Sequence, residues 1–492
     1  MHRITSDRAH PLFDTAATRQ IEKTAAASLP PHTLMQRAGL AVARLALALA
    51  PHARTVWIAC GPGNNGGDGL AAATQLHLRG KSVVVTWLGT EASAPTDSLA
   101  ALARARAAGV AFADAPPTSL TVQDLCIDAL LGIGSSRAPA GTMAAWITAM
   151  NACPAPTLAI DLPTGLQADT GNFAMQSVAN SADEISDSGT IYAQNTLCLL
   201  SLKPGLFTGH GRDTAGQVWL DDLGITPCSA PTAQLVGAPV PACRTHASHK
   251  GNYGDVAILG GASGMAGAAL LAASAALHTG AGRVFVGLLD GSSLGVHPQQ
   301  PELMFRAPGA LPLHALAVVC GCGGGEAVRA LLPRVLLEAA RLVLDADALN
   351  AIATDTALQA QLRARATQGL PTVLTPHPLE AARLLGCSTA QIQSDRLGAA
   401  QQLADRFACV VVLKGSGSVI AAPSQVPSIN PTGNGRLATA GTGDVLAGMV
   451  GARLAMGQYA VAAACAAVFA HGRVADDWPT GQPLTASALA RS

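Results

Sequence analysis

The residues whose types and spacing are best suited to a chemical role are Gly441-Thr-Gly-Asp444. They lie directly before an apolar helical pattern at residues 445–450. Backbone N–H groups at the start of a helix lack intrahelical partners, and the helix dipole adds positive potential there. Glycines let a phosphate approach these groups closely, so the segment predicts an anion site. Because a bound phosphate repels a carboxylate, Asp444 is best explained as a base that takes a proton from a neighbouring hydroxyl. The alternative is an N-capped helix in which Asp444 only complements the dipole.

A second glycine-rich segment, Gly61-Pro-Gly-Asn-Asn-Gly-Gly-Asp-Gly69, lies between an apolar run at residues 55–60 and a helical pattern that continues to Leu78. Strand, glycine loop and helix in this order are typical of phosphate binding at the carboxyl end of a parallel strand. The loop is not GxGxxG, which argues against a dehydrogenase. We interpret it as a nine-residue binding loop in which Asn64, Asn65 and Asp68 add directional donors and acceptors. Asn-Gly and Asp-Gly are also ordinary turn pairs.

Short apolar runs that would position these side chains alternate with helical patterns. In the first half the predicted strands include residues 55–60, 82–88, 124–128 and 157–161. The carboxylates Asp128 and Asp161 end the last two. In a doubly wound sheet the carboxyl ends of such strands meet at one crevice, so we expect the site there. Taken alone, both carboxylates could equally brace loops or cap helices.

The second half repeats this alternation. Its predicted strands include residues 255–259, 315–320, 341–345, 372–375 and 410–413. Asp345 and Asp347 follow one strand and could hold Mg²⁺ or brace the next helix. Prolines on both sides of His377 restrict the backbone and so fix where the imidazole points. The segment Lys414-Gly-Ser-Gly-Ser418 supplies a cation and flexible N–H groups, although it is not a P-loop.

Length and composition narrow the classes of protein. A chain of 492 residues exceeds what one core usually serves, which predicts two domains, with residues 226–242 as a Pro- and Ala-rich linker. Lys+Arg and Asp+Glu are balanced at 31 each, so no broad basic field attracts nucleic acid or acidic membranes, and we expect a small-molecule partner. The eleven cysteines are scattered without a CxxC pair, and the N-terminus lacks a signal-peptide core. We therefore expect a cytoplasmic protein without a membrane partner.

Residues 244–492 resemble the ribokinase-like superfamily, in particular its ADP/ATP-dependent NAD(P)H-hydrate dehydratase branch. Three motifs carry the resemblance in the same order: residues 375–380 (TPHPLE), 414–418 (KGSGS) and 430–451. The resemblance implies Mg²⁺ with ADP or ATP, and Asp444 as the catalytic base. It also implies a hydrate site at Ala266, Gly323, His377 and Asp444, and a nucleotide site at Lys414, Gly415, Ser416, Gly417, Ser418 and Gly443. In this branch residues 321–325 normally read Gly-Pro-Gly-Leu-Gly, so Cys322 and Gly324 depart from the pattern.

Residues 10–225 resemble the NAD(P)H-hydrate epimerase family, most specifically in the loop at residues 61–69. The resemblance implies that Asp161 contacts the substrate and moves the proton. It implies that the hydrated dinucleotide is held by Asn64, Asn65, Gly66, Gly67, Asp68, Gly132, Ile133, Gly134, Ser135, Ser136, Arg137, Ala138 and Asp161. It also implies a K⁺ ion near Asn65, Asp128 and Thr164, where threonine replaces the usual serine. Lys203 matches a family turn in which the lysine could be structural.

Together these features predict two three-layer α/β/α domains, a Rossmann-like epimerase domain at residues 1–225 and a ribokinase-like dehydratase domain at residues 243–492. The predicted activity is repair of NADHX and NADPHX, the hydrates of NADH and NADPH, by an isomerase fused to a lyase that uses ADP or ATP. We expect a homo-oligomer. One alternative is a ribokinase-like small-molecule kinase fused to a dinucleotide-binding module. Another is a first domain that only binds and has lost turnover.

Overall fold

The computed structural model describes residues 1–134, 137–174, 189–240, 243–291 and 295–492. They form two compact units, the first made of Met1–Thr5 and His10–Ala233, the second of Ser6–Ala9 and Gln234–Ser492. The division after Ala233 falls inside the Pro- and Ala-rich segment 226–242, which also contributes the short strand Ala233–Leu235. Within the described residues, every helix is too short or too polar to cross a membrane.

The first unit contains strands and helices in alternation. Its strands are β1 (His2–Arg3), β2 (His10–Leu12), β3 (Thr55–Cys60), β4 (Ser82–Trp87), β5 (Ala111–Phe112), β6 (Leu125–Ala129), β7 (Thr157–Ile160), β8 (Asn195–Leu199) and β9 (Gln217–Asp221). Its helices are α1 (Thr15–Ser28), α2 (Thr33–Leu49), α3 (Asn64–His77), α4 (Thr96–Ala107), α5 (Thr142–Ala152) and α6 (Gly211–Thr214).

The sheet of this unit runs in the order β1-β9-β8-β7-β6-β3-β4-β5. The strands from β9 to β5 are parallel, and β1 is antiparallel at the edge. Alternate residues of β3 pack on opposite faces, Ile58 with buried residues of α2 to α4 and Trp57 with buried residues of α5. Helices therefore cover both faces, and the order of strands reverses between β3 and β6, where a ligand crevice is expected.

The predicted nine-residue loop at residues 61–69 is wrong in its length, because α3 already begins at Asn64. A Cβ on Gly66 would lie 2.0 Å from the Gly61 oxygen, and one on Gly69 would lie 2.5 Å from the Ala129 Cβ. Glycine is a weak helix former, yet close packing against β3 and β6 outweighs that preference. The turn is only residues 61–63, and the glycines let the helix lie close to the sheet.

The second unit has a larger set of elements. Its strands are β10 (Ala233–Leu235), β11 (Asp255–Gly260), β12 (Arg283–Leu288), β13 (Met304–Phe305), β14 (Ala317–Cys320), β15 (Arg341–Leu344), β16 (Thr372–Leu374), β17 (Val410–Leu413), β18 (Val419–Ala421) and β19 (Ser428–Ile429). Its helices are α7 (Ala266–Thr279), α8 (Leu332–Glu338), α9 (Asp347–Ala353), α10 (Thr356–Thr367), α11 (Pro378–Leu385), α12 (Thr389–Ser394), α13 (Arg396–Phe407), α14 (Thr442–Ala455), α15 (Ala460–Asp477) and α16 (Ala486–Leu489).

The sheet of the second unit contains the parallel series β13-β12-β11-β14-β15-β16-β17, followed by β18, β19 and β10. Strand β11 again separates two cores, with Leu259 packed among residues of α8 to α13 and Ile258 among residues of α7, α14 and α15. The order of strands reverses between β11 and β14. The predicted class of two α/β domains with helices on both faces of each sheet is confirmed.

Helices α7 and α14 pack at a glycine. A Cβ on Gly448 would lie 2.0 Å from the Ala272 oxygen, so the two backbones touch where a side chain would otherwise separate them. This contact helps to hold the first turn of α14 against α7.

We expect Gly448→Ala to destabilise the second unit by about 1–3 kcal/mol, because the added methyl forces the two helices apart. Gly267→Ala is the matched control, since a Cβ at that position in α7 would meet nothing within 4 Å. Denaturation by urea measures the free energy of unfolding of both variants. Equal midpoints for the two variants would contradict the packing argument.

Candidate active sites

The second candidate site is organised around the first turn of α14. Gly441 adopts φ +89°, a left-handed conformation that suits glycine. The Thr442 hydroxyl donates to the oxygens of Leu437 at 2.9 Å and Thr439 at 3.0 Å. The buried His471 Nε2 donates to the Thr442 oxygen at 2.9 Å. These bonds fix the helix start on both sides.

The first N–H groups of α14 have no acceptor within the described part of the chain. The first main-chain bond of this turn is from Val445 N to the Gly441 oxygen at 3.1 Å, and the N–H groups of residues 442–444 precede it. Unpaired N–H groups at a helix start attract anions. The geometry is therefore that of an anion cradle.

Asp444 is half-buried beside this cradle. One carboxylate oxygen each from Asp444 and Asp345, together with Cys322 Sγ, lie within 4.8 Å of one another. Burial and, to a smaller extent, the charge of Asp345 raise the pKa of Asp444 to about 6, although Lys414 opposes the shift. The carboxylate is thus ionised at neutral pH but is a stronger base than an exposed aspartate.

Lys414 connects the cradle to the sheet. Its Nζ donates to Asp345 Oδ1 at 2.7 Å, and a Cβ on Gly443 would lie 3.1 Å from Nζ. Burial alone lowers the pKa of Lys414, but Asp345 and Glu380 outweigh it and raise the pKa. The ammonium is therefore charged at the start of α14, where it adds to the positive potential.

Arg396 supports the loop at residues 414–418 through hydrogen bonds to its backbone oxygens. This role was not predicted from the sequence. Gly415 and Gly417 have φ +137° and +62°, and the Arg396 Nη2 lies 3.3 Å from the Lys414 oxygen and 3.5 Å from the Gly417 oxygen. Burial lowers the pKa of Arg396 to about 10. On a helix of mixed polarity an arginine resembles a solvated residue, so nothing local indicated this role. The predicted nucleotide residues Lys414, Gly415, Ser416, Gly417 and Ser418 form this turn.

His377 is fixed as a helix cap. Its ring Nδ1 accepts from Leu379 N at 3.1 Å, and its backbone N–H donates to Glu380 Oε2 at 2.8 Å. Partial burial lowers the pKa of His377, and the positive charge of Lys414 lowers it further. The ring is 46% exposed, so a neutral imidazole faces solvent near the same ammonium.

The loop at residues 321–325 brings Gly323 against the start of α7, where Ala266 lies, and both are predicted substrate residues. Ala262 N donates to the Gly323 oxygen at 2.7 Å, and a Cβ on Gly323 would lie 2.8 Å from the Met265 oxygen. Gly325 N donates to Asp347 Oδ2 at 2.8 Å, so Asp347 braces this loop. The departure at Cys322 places a fully buried thiol against Asp345 and Asp444.

The first candidate site centres on Asp161. This residue adopts φ +68°, a strained conformation for a residue with a Cβ. Its N–H donates to the Leu197 oxygen at 2.8 Å, and its carboxylate is paired with Lys203 Nζ. Lys203 is 1% exposed and also donates to the Leu199 oxygen at 2.8 Å. Strand β8 and the residues after it therefore hold Asp161 in its strained position.

Other predicted residues lie around Asp161. A Cβ on Gly132 would lie 3.3 Å from Asp161 Oδ2 and 3.4 Å from Asn65 Oδ1. Burial raises the pKa of Asp68 well above its ordinary value, and the charges of Asp161 and Glu22 add to the shift. Glu22 on α1 was not predicted, because α1 reads as an ordinary amphipathic helix. Carboxylates from three elements thus converge near one buried ammonium.

The loop after β6 carries the remaining predicted residues of this site. Gly132, Ile133 and Gly134 lie three to five residues after the end of β6, and Arg137 and Ala138 come later in the same loop. A Cβ on Gly134 would lie 3.7 Å from the Arg19 Nη2. Ser135 and Ser136 lie outside the described residues.

Asp128 and Thr164 form a buried pair beneath this loop. Thr164 donates to Asp128 through N–H at 2.8 Å and through the hydroxyl at 2.7 Å, and Leu130 N donates at 3.1 Å. Burial raises the pKa of Asp128 to about 6, and these hydrogen bonds only partly offset it. The Asn65 Nδ2 is also buried and lacks a partner within the described residues.

Two α/β units, each with carboxylates beside a helix start, define a fusion of two α/β domains that each contain a candidate ligand site. Residues 31–205 match the family described as YjeF-related protein N-terminus, and residues 256–491 match the family described as NAD(P)H-hydrate dehydratase.

One relative matches most of the chain, and others match about half of it. The chain is 37% identical to the bifunctional NAD(P)H-hydrate repair enzyme Nnr of Escherichia coli K12, with 90% of this chain and 85% of the relative covered. It is 42% identical to an ADP-dependent (S)-NAD(P)H-hydrate dehydratase of Neisseria meningitidis, over 50% of this chain and 84% of that protein. A solved ADP/ATP-dependent dehydratase of Bacillus subtilis is 31% identical and covers 50% of this chain and 90% of its own, with a TM-score of 0.41. The chain belongs to the family of bifunctional NAD(P)H-hydrate repair enzymes.

We expect His471 to make the stability of the second unit depend on pH. Burial lowers its pKa to about 4 from an ordinary 6.5, so between these values the unfolded chain binds the extra proton. The contribution of His471 to the free energy of unfolding is complete above pH 6.5. It is lost as the pH falls toward 4, and the loss is about 2 kcal/mol at pH 5.

The test compares the wild type with His471→Gln, whose amide can still donate to the Thr442 oxygen. The unfolding free energy of the variant should fall less steeply between about pH 7 and pH 5, as measured by urea denaturation. His314→Gln, at an exposed position, should keep the slope of the wild type. A pH dependence of His471→Gln equal to that of the wild type would contradict the prediction, because it would show that folding does not lower the pKa of His471.

Proposed function

We propose that the first unit interconverts the R and S hydrates of NADH and NADPH, and that the second unit dehydrates the S hydrate at the expense of ADP or ATP. The observation that carries the proposal is a carboxylate, Asp444, beside unpaired N–H groups at the start of α14. A small-molecule kinase would use the same cradle. Family membership over the whole length of the chain favours hydrate repair.

In the second unit, Asp444 takes the proton of the C6 hydroxyl of the hydrate. The oxygen then attacks the terminal phosphorus of the nucleotide, and the bond to the leaving nucleotide breaks, so that ADP yields AMP. N–H groups of residues 442–444 and the Lys414 ammonium stabilise the negative charge on the transferred phosphoryl group. The C6–O bond breaks next, and C5 gives a proton to water as the C5–C6 double bond forms. The products are inorganic phosphate and the restored dihydropyridine.

The acidic residues near this cradle suit Mg²⁺, which prefers oxygen ligands and retains several waters. Asp345 Oδ1 is committed to Lys414 and Thr375, whereas Asp347 is half-buried with one oxygen bonded to Gly325 N. We propose that Asp347 holds the water shell of a Mg²⁺ ion that enters with the nucleotide. When bound, the ion neutralises part of the phosphate charge.

In the first unit, we propose that Asp161 takes the proton of the C6 hydroxyl while the C6–N1 bond breaks, which leaves an aldehyde at C6 and the electron pair on N1. Attack of N1 on the other face of the aldehyde re-forms the bond, returns the proton to oxygen and inverts C6. Lys203 pairs with Oδ1 and leaves Oδ2 near Gly132 and Asn65, where the ring would lie. Asn64 to Asp68 and the loop from Gly132 to Ala138 would hold the rest of the dinucleotide. A proton carrier held by a buried cation is poised for this exchange.

The residues around Asp128 fit a K⁺ ion. Its carboxylate is fully buried, and the groups that stabilise its charge are hydrogen bonds from Thr164 and Leu130 rather than a cation. Carboxylate, hydroxyl and amide oxygens are hard ligands. We propose that Asp128, Thr164 and Asn65 hold K⁺, which would compensate the buried charge and stiffen the loop above it.

We expect Asp444→Asn to lower ADP-dependent dehydration by a factor on the order of 10² to 10⁴, because the amide cannot take the hydroxyl proton. Epimerisation should continue at the rate of the wild type. Regenerated dihydropyridine is followed by absorbance, and the two epimers by chiral separation. Asp405→Asn, an exposed carboxylate on α13, is the matched control. Equal loss of both activities would refute the division between units.

We expect Asp161→Asn to block epimerisation and leave dehydration of the S hydrate intact. A mixture of hydrates with ADP and Mg²⁺ should then be consumed only until the S form is exhausted, and the R form should remain. Asp213→Asn, an exposed carboxylate in the same unit, should consume both forms. Complete consumption by Asp161→Asn beyond the spontaneous rate would assign proton transfer to another group. Persistence of the R form with the wild type would make the first unit a binder.

A further inference from the structure

The cluster of Cys322, Asp345 and Asp444 contains a thiol, which the proposed reaction does not use. The three residues come from different elements: the turn after β14, the end of β15 and the first turn of α14. Their ligand atoms lie within 4.8 Å of one another. Cys322 and Asp345 are buried, whereas Asp444 is half-buried, so the cluster is open on the side of the cradle.

The orientation of Asp345 leaves one oxygen for this cluster. Its Oδ1 accepts from Lys414 Nζ at 2.7 Å and from the Thr375 hydroxyl at 2.7 Å. Its Oδ2 lies 3.9 Å from Cys322 Sγ. Sulfur and oxygen ligands of one tetrahedral Zn²⁺ ion are about 3.5 Å apart, given typical Zn–S and Zn–O distances near 2.3 and 2.0 Å. The two atoms therefore need to move by only a few tenths of an ångström to share an ion.

The charges also balance. A thiolate and two carboxylates carry three negative charges, and the Lys414 ammonium, bonded to Asp345, supplies one positive charge. A divalent cation neutralises the remaining two. Mg²⁺ takes oxygen ligands, whereas thiolate favours softer ions such as Zn²⁺, so the sulfur makes the cluster selective.

We propose that Cys322, Asp345 and Asp444 bind a thiophilic divalent cation of the Zn²⁺ class, and that this ion inhibits dehydration by occupying Asp444. On binding, the Cys322 S–H bond breaks, an S–metal bond forms, and the proton passes to the buffer. A water molecule completes the coordination. The inhibitory effect rests on the proposed role of Asp444 as the base, whereas the binding does not.

The binding is tested with Co²⁺ as the probe, added to the full chain after treatment with a chelator. One equivalent should produce the near-ultraviolet absorption of a cobalt–thiolate bond, and Zn²⁺ should displace it. Cys322→Ser and Cys322→Ala should lose this absorption, with affinity lowered by roughly 100-fold or more. Cys387→Ser is the matched control, because that thiol is partly exposed and lies outside the cluster. No absorption with the wild type, or absorption retained by folded Cys322 variants, would overturn the proposal.

The inhibition is tested separately, with ADP and Mg²⁺ in excess. Zn²⁺ should suppress dehydration by the wild type and by Cys387→Ser, and EDTA should restore it. Each Cys322 variant, measured relative to its own rate without Zn²⁺, should resist inhibition by roughly 100-fold more Zn²⁺. Equal sensitivity of the variants would overturn the inhibitory role. A wild type without dehydratase activity would instead refute the proposed function, while the cobalt absorption would still report on the site.

Discussion

Each site depends on one lysine ammonium paired with an aspartate at the end of a strand. Lys414 holds Asp345 in the second unit, and Lys203 holds Asp161 in the first. Buried carboxylates without a cation would be costly, and loss of one partner of such a pair typically destabilises by about 3–5 kcal/mol. In both pairs the lysine occupies Oδ1 and leaves Oδ2 facing the site. The same bond therefore supports the fold and leaves the second carboxylate oxygen facing the candidate site.

The two units place a helix start beside these carboxylates in different ways. In the first unit a turn of three residues joins β3 to α3, so strand, turn and helix form one local element. In the second unit α14 follows the segment after β19, and its start is positioned by contacts from α7 and from His471 on α15. Short motifs indicated both helix starts. The distant side chains that hold the second one could not be recognised from its motif.

The balance of charge around Lys414 also sets the acid–base behaviour of the second site. Burial raises the pKa of Asp444 to about 6 and that of Glu380 to about 7, while the lysine opposes both shifts. Without that ammonium, several carboxylates in a half-buried space would favour protonation. With it, Asp444 is ionised near neutral pH and still basic enough to accept a proton. Cys322 introduces a thiol into this balance.

The sequence by itself determined the α/β class, the division into two domains and the family, because apolar runs and glycine motifs report on local structure and on the order of elements. It located most strands and placed Asp161 and Asp444 directly after or before regular elements. It could not show that Lys203 pairs with Asp161 or that Arg396 supports the turn at residues 414–418. It was wrong about the length of the loop before α3, where packing of glycines against the sheet extends the helix. Only tertiary structure decided these features, because each depends on residues far apart in the chain whose contact leaves no periodic pattern in either segment.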